Sequence, residues 1–398
     1  MILWRGFVLA KICIVTATRA EYGLLKPVIA GLIEKGHDVR VAVTGAHLSE
    51  KHGLTYKEIE NDGFEIDVKV DMLIANDTAD EISTSMATAL KGFADYFADR
   101  RPDSVIILGD RYEMLSVAIA AMNEKIPIIH LYGGDVTEGA IDDVVRHALT
   151  KMSLFHFVGT EEHRNRVIQM GENPERVWTV GTLSAANTTE VDTLSKEELE
   201  SQIGFTWNKT TDKLAVITYH PVTLSDDSVE EQIQELLRAI DGYPNLKCIF
   251  TGANADCGGN RINELLKYYA DTHSQKAMFI ESLGQLRYLS TISMADVVIG
   301  NSSSGLSEVP SFKVPTVNIG DRQKGRTAGK TVISCGTSSK EIEAAIEKAL
   351  SSEFKNSIQN AVNPYYKEGT IEAIVNGIDS IMRSGNLDIR KSFYSITI

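Results

Sequence analysis

Residues 299–326 read IGNSSSGLSEVPSFKVPTVNIGDRQKGR. The apolar run Asp296-Val297-Val298-Ile299 predicts a buried strand that ends in Gly300-Asn301 and three serines. Helix-compatible residues follow, with Glu308 expected one to two turns into the helix, and a second apolar run over 316–319 predicts the next strand. The backbone N–H groups that open a helix have no partner within it, and the helix dipole adds positive charge there. Small residues let a diphosphate approach those groups, and serine hydroxyls add donors. Glu308 is then placed to accept from ribose hydroxyls, and Arg322, Lys324 and Arg326 suit an anion. A serine-rich turn that only caps a helix is the alternative reading of the same residues.

The same strand–turn–helix unit recurs outward from this segment. In the first half, short apolar runs over 11–16, 38–44, 104–108, 126–130, 154–158 and 176–180 predict strands. Amphipathic stretches over 24–35, 79–98, 114–123 and 161–170 predict the helices between them. The second half repeats the alternation, with strands over 214–219, 246–251, 277–280, 296–299 and 316–319. Its helices are expected over 229–240, 261–270, 284–291 and 340–350. This pattern predicts an α/β chain of two Rossmann-like, doubly wound domains. The boundaries expected are 1–185 for the N-terminal domain, 186–210 for a connecting region and 211–369 for the C-terminal domain. Residues 370–398 are expected to pack back on the first domain.

Composition narrows the classes of function. The 398 residues suffice for two domains with cores, and 43% hydrophobic residues is ordinary for a globular chain. A net charge of −14 argues against general affinity for nucleic acid or an anionic membrane. An acidic protein that binds a phosphorylated ligand must therefore concentrate its positive charge locally. Cys13, Cys248, Cys257 and Cys335 show no CxxC spacing and read as free thiols in a reducing compartment. The apolar N-terminus MILWRGFVLAKICIV is interrupted by Lys11 and lacks a small-residue cleavage site, so it is not read as a signal peptide. A cytoplasmic location is expected. The nine histidines are scattered, and neither a metal site nor a cofactor is expected.

Ligands of open α/β folds bind at the carboxyl ends of the strands, so polar residues just after predicted strands carry the most information. They are Thr18-Arg19-Ala20-Glu21, Gly45-Ala46-His47, Gly109-Asp110-Arg111, Tyr132-Gly133-Gly134-Asp135, His220-Pro221, Asn254-Ala255-Asp256 and the serine segment. Two such domains facing each other are expected to form a cleft between these ends. Asp142 and Arg146 stand four apart, on one face of a helix, and are expected to pair.

Together, TATRAEYG (16–23), GDR (109–111), HLYGGDVTEGAIDDVVRH (130–147), HPVT (220–223), TGANAD (251–256) and the 300–326 segment resemble the UDP-N-acetylglucosamine 2-epimerases, hydrolysing branch. The resemblance runs from about residue 11 to 383. It implies the two-domain GT-B fold and conversion of UDP-GlcNAc and water to N-acetylmannosamine and UDP, the first step of sialic-acid-type synthesis. A close branch acts on UDP-N,N′-diacetylbacillosamine, and a non-hydrolysing branch returns UDP-ManNAc. The resemblance also implies a homodimer or homotetramer. Carried over by position, Ser302 and Ser303 bind diphosphate and Glu308 binds ribose. Arg19, Arg111, Asn254 and Arg322 contact UDP, and His220 lies near the diphosphate. Asp110, Asp135, Asp142, Arg146, His220 and His47 are the catalytic candidates. Tyr132 stands where some relatives carry Glu two residues after the histidine at His130. A phenol with an ordinary pKa near ~10 is a poor base at neutral pH. Gly23 replaces a serine of some relatives.

Overall fold

A computed structural model describes residues 10–72, 78–138, 140–222, 228–253 and 258–396. The elements in the first part of the chain are β1 (Lys11–Thr16), α1 (Arg19–Glu34), β2 (Asp38–Thr44), α2 (Tyr56–Asn61), β3 (Ile66–Val70) and α3 (Ala79–Arg100). Next come β4 (Ser104–Leu108), α4 (Tyr112–Asn123), β5 (Ile128–Leu131), α5 (Asp142–Met152), β6 (Phe155–Val158), α6 (Glu161–Gln169) and β7 (Val177–Thr179). Helices α7 (Leu183–Glu190) and α8 (Lys196–Ile203) precede β8 (Lys213–Thr218), α9 (Val229–Asp241), β9 (Leu246–Thr251), α10 (Gly259–Thr272) and β10 (Ala277–Ile280). The chain continues through α11 (Gly284–Met294), β11 (Val297–Gly300), α12 (Ser304–Ser307), β12 (Thr316–Ile319) and β13 (Val332–Cys335). It closes with α13 (Ser339–Leu350), α14 (Ser352–Ser357) and α15 (Thr370–Ser384).

These elements cluster into two units. One gathers the chain up to Asp135, Asp142–Leu183 and the chain from Lys367; the other holds Val136–Ile141 and Ser184–Tyr366. The residues expected as a connecting region thus carry α8 and most of α7 and cluster with the second unit.

The first unit is a seven-stranded parallel sheet in the order β3-β2-β1-β4-β5-β6-β7. Its central strands are buried along nearly their whole length, because a parallel sheet is covered on both faces. One face packs Leu25, Ile29 and Leu32 of α1 with Ile374 and Ile378 of α15 against β1 and β2. The other packs Phe93 and Phe97 of α3 and Val117 and Ala121 of α4. Gly31 allows α15 to lie close on α1, since a Cβ there would sit 2.8 Å from a Val375 methyl.

The second unit is a six-stranded parallel sheet in the order β10-β9-β8-β11-β12-β13. Its core joins Ile233, Leu236 and Ile240 of α9 with Ile342 and Ile346 of α13 over β8, β9 and β11. Both orders reverse direction beside the first strand of the unit, between β1 and β4 and between β8 and β11. In doubly wound sheets the carboxyl ends at such a reversal form the ligand crevice of that unit.

Eleven strands stand where the apolar runs placed them, to within two residues at either end, and the structure adds β3 and β13. Both additions are edge strands with half-exposed residues, so neither presents the apolar run of a buried strand. A second difference concerns α12, a single turn. Glu308 is its C-cap, and a 3₁₀ segment, Val309–Phe312, follows. Four residues sum little macrodipole. No described helix is long and apolar enough to cross a membrane.

Ile378 is fully buried between α15 and the first sheet. Ile378→Ala is expected to cost about 3 kcal/mol, as large-to-small core changes do. Urea unfolding followed by circular dichroism measures it.

Candidate functional site

The carboxyl ends of β4 and β5 in the first unit gather its charged groups. Gly109, with φ +78°, turns the chain after β4 so that Asp110 leaves the strand without capping α4; the N-cap position is Arg111. Asp110 Oδ2 accepts from Arg146 Nε at 2.9 Å and also from Nη2. Arg146 is only 1% exposed, and Asp143 Oδ1 lies 3.4 Å from its Nη1. The expected partner, Asp142, is the half-buried first residue of α5, but the ion pairs of Arg146 run to Asp110 and Asp143. Those carboxylates, and the field of Asp135, hold the guanidinium charged despite burial. His130 on β5 lies 2.7 Å from Gly109 O and so braces the same turn.

The turn after β5 is tightly built. Tyr132 has φ +77°, a region that side-chain-bearing residues rarely adopt, and its ring packs against the first core. Its N–H donates to Phe157 O at 2.9 Å. A Cβ on Gly134 would come within 2.4 Å of His163 O, so only glycine fits. Beyond the glycines, buried Asp135 Oδ1 stands 3.3 Å from His163 Nε2 on α6.

At the end of β1, Thr18 and Glu21 form a capping box on α1, and Glu21 Oε2 accepts from Ala17 N and Thr18 N. Glu21 Oε1 is buried with no hydrogen bond among the described residues, 3.9 Å from Arg111 Nε. Burial raises this carboxyl to about 7, against the opposing pull of Arg111. Arg111 itself donates to Glu113 from Nη2 at 2.9 Å, and Arg19 Nε donates to Glu58 at 2.9 Å. Two of the three arginines expected on UDP, Arg19 and Arg111, are therefore held by carboxylates of their own unit. His47 is fully buried, with its ring nitrogens 3.0 Å from Thr16 Oγ1 and 2.8 Å from Thr55 Oγ1. The ring has no exposed surface and braces the end of β1 against Thr55.

In the second unit, Gly300 ends β11 with φ +133°, where a Cβ would lie 1.9 Å from Thr218 O. Asn301 bridges the adjacent strand ends: its Oδ1 accepts from His220 N at 2.7 Å and its Nδ2 donates to His220 O at 2.8 Å. The next amides, of Ser302 and Ser303, make no hydrogen bond among the described residues, and both residues are half-buried. Two consecutive open amides form an anion-binding concavity even without a long helix. Arg322 Nη1 and Gln323 Nε2 both reach Asn301 O, at 3.3 and 2.8 Å, so the basic loop folds onto this turn. Lys324 lies 3.5 Å from Glu138, whose N–H donates to Lys324 O, so one expected cation is paired within the unit. Burial pushes the Glu308 carboxyl up, while Ser304 opposes the shift; Tyr288 Oη donates to Ser304 Oγ at 2.8 Å. Burial, aided by Arg322, lowers His220 to about 3, so its imidazole is neutral at physiological pH. Asn254 lies outside the described residues.

Several participants carried no sequence signal as site residues. Glu21 was legible as a strand-end residue but with no role assigned, and Asp143 only as a neighbour of Asp142. His163, Glu113 and Tyr288 sit inside helices with no motif to mark them, and Gln323 lies in the 300–326 segment with no role assigned. Their roles come from which strand end or turn the fold sets them against.

The chain matches the family described as UDP-N-acetylglucosamine 2-epimerase over residues 32–379. It is 45% identical over 346 residues to a Campylobacter jejuni protein named GDP/UDP-N,N'-diacetylbacillosamine 2-epimerase (hydrolyzing), covering 87% of this chain and 88% of the relative. It is 41% identical over 388 residues to polysialic acid biosynthesis protein P7 of Escherichia coli, covering 97% of each. Among solved structures, the MnaA–UDP complex of S. aureus superposes with a TM-score of 0.79 at 18% identity, over 97% of this chain and 100% of the other. That likeness shows the fold, two Rossmann-like units of the GT-B class.

Burial holds three imidazoles neutral: His47 and His130 are lowered to about 4 and His220 to about 3, from 6.5. Below pH 6.5 the unfolded chain binds protons that the native chain refuses, so stability falls as pH drops from about 6.5 toward these values. Glu21 acts oppositely: raised from 4.5 to about 7, it loses its stabilising share as pH climbs through that interval. Each site contributes a slope of at most about 1.4 kcal/mol per pH unit. Three imidazoles against one carboxyl give a net rise in stability from pH 4.5 to 6.5. Urea unfolding at pH 4.5, 5.5 and 6.5 tests this, and a flat or falling trend contradicts it.

Proposed function

The chain belongs to the UDP-N-acetylglucosamine 2-epimerase family, hydrolysing branch, and within it we propose that it converts UDP-GlcNAc and water to N-acetylmannosamine and UDP. The observation that carries this reading is the cluster on the first unit: Asp110 and Asp143 on buried Arg146, with Asp135 close enough to act on the same guanidinium. A nucleotide-binding protein has no use for such a group on the unit opposite in sequence to its phosphate turn. An acid–base reaction on a sugar does.

The chemistry sets the requirements. The C2 proton of the sugar has no adjacent carbonyl to acidify it. Departure of the diphosphate gives C1 oxocarbenium character, and that acidifies C2. As a carboxylate takes the C2 proton, the C2–H pair forms the C1=C2 bond and the C1–O pair leaves with UDP, giving a 2-acetamidoglucal. Water then adds its hydroxyl at C1, and C2 receives a proton on the opposite face, which yields the manno sugar. Acid–base groups are therefore needed on both faces of the ring.

In this reading the second unit holds the nucleotide. The open amides of Ser302 and Ser303 and the Arg322 guanidinium take the diphosphate, and Glu308 takes the ribose. His220, neutral, donates an N–H to the departing phosphate oxygen; it does not act as a cation. Arg19 and Arg111 reach UDP only by loosening their pairs with Glu58 and Glu113. On the first unit, Asp110, Asp135 and Asp142 are the acid–base carboxylates, and Arg146 fixes the first of them. Tyr132, with its ring on the core, is left out of the proton transfers.

A second reading is favoured by one observation: the Campylobacter relative, 45% identical, is named for the diacetylbacillosamine nucleotide. The same carboxylates serve either sugar. Incubation with UDP-GlcNAc, or separately with UDP-N,N′-diacetylbacillosamine, in D2O is expected to release UDP and a free manno-configured sugar carrying deuterium at C2. A kcat/KM higher for the diacetyl nucleotide assigns the second reading. Formation of UDP-ManNAc, or UDP release without C2 exchange, contradicts both.

A further inference from the structure

The turn that carries Asp135 is a poor support for a reacting carboxylate. It combines Tyr132 in a left-handed conformation with two glycines, the residues that hold a backbone least firmly. Yet Asp135 is buried and fixed, and the fixing comes from the first two turns of α6. Arg166 Nη1 donates to Gly134 O, and the His163 backbone fills the space where a Gly134 Cβ would be. His163 Nε2 then stands 3.3 Å from Asp135 Oδ1, within ion-pair range but without the alignment of a hydrogen bond, and the imidazole is 3% exposed. His163 is itself set in place, because its N–H donates to the N-cap hydroxyl of Thr160 at 3.2 Å. Contacts of this kind are often long in the unliganded state and tighten on substrate.

We propose that His163 is a positioning residue for the 2-epimerase reaction: it holds Asp135 Oδ1 so that the other carboxyl oxygen takes the C2 proton. The proton moves from C2 to Asp135, while His163 keeps its own and donates from Nε2 throughout. The inference rests on the function proposed above. Among the described contacts, Arg146 and His147 from α5 and His163 from α6 act on Asp135, and Arg166 from α6 holds the neighbouring Gly134 carbonyl. Removing the His163 donor leaves Asp135 less stabilised as a carboxylate, which moves its titration toward higher pH.

The test compares the full-length wild type with His163→Phe, His163→Gln and Asp135→Asn, reading UDP release and C2 deuteration across pH. His163→Phe is expected to lower kcat about 10- to 100-fold with little change in KM. It is also expected to move the acid limb of the kcat profile up by about one pH unit. His163→Gln, whose amide N–H reaches the same oxygen, is expected to recover most of both, and Asp135→Asn to abolish exchange. Should the phenylalanine variant not fold, His163→Leu carries the same comparison. An unchanged pH profile in the apolar variant, or a glutamine variant as impaired as the apolar one, overturns the proposal. Wild type that turns over neither UDP-sugar removes the reading beneath it, whereas normal wild-type turnover with those variant results removes this inference alone.

Discussion

A guanidinium taken out of water must be neutralised where it lies, and the first unit is organised around one such demand. Arg146 sits on α5 with 1% of its surface exposed. It is compensated from the turn after β4 by Asp110 and from its own helix by Asp143. Leaving such a charge unpaired would cost several kcal/mol, so the turn after β4 and helix α5 are held in one relation. The braces around it serve the same relation. His130 ties β5 to Gly109, and Thr150, one turn beyond Arg146, reaches both the Arg146 carbonyl and the His130 ring. Of the carboxylates proposed to act on a sugar, Asp110 is the one whose position this constraint sets.

The two units share one topology and divide the chemistry. Each places its polar residues at the reversal of strand order, the first with carboxylates and a buried cation, the second with open amides and an arginine. In the proposed function an acidic chain accepts a diphosphate because the positive potential comes from local backbone N–H groups and Arg322, not from net charge. The one-turn length of α12 makes this more pointed. Gly300, held where no side chain fits, sets the turn that leaves the Ser302 and Ser303 amides open.

Much of this was legible in the residues. Apolar runs bounded by Gly and polar residues located the inner strands, because strands buried on both faces must be continuously apolar. Polar residues after those runs located Asp110, Asp135, His220 and Ser302, because strand ends at a reversal are where a parallel sheet opens. Illegible features depended on contacts between distant segments. The pairing of Arg146 with Asp110 spans 36 residues and cannot be read from helix spacing, which pointed to Asp142. His47 followed a strand as a site residue should, but the fold turned its ring inward between Thr16 and Thr55. His163 lies in a polar helix that nothing in the sequence marks, and only the fold sets Gly134 against its backbone.

The account stands or falls on the coupling between Asp110 and Arg146. A double-mutant cycle with Asp110→Asn, Arg146→Met and the pair, read as unfolding free energy in urea at neutral pH, isolates it. If the buried guanidinium organises the first unit, each single change is strongly destabilising and the double variant recovers part of the loss, with a coupling of about 2 kcal/mol or more. Single changes that simply add, with coupling near zero, would show that the turn after β4 is placed by something else.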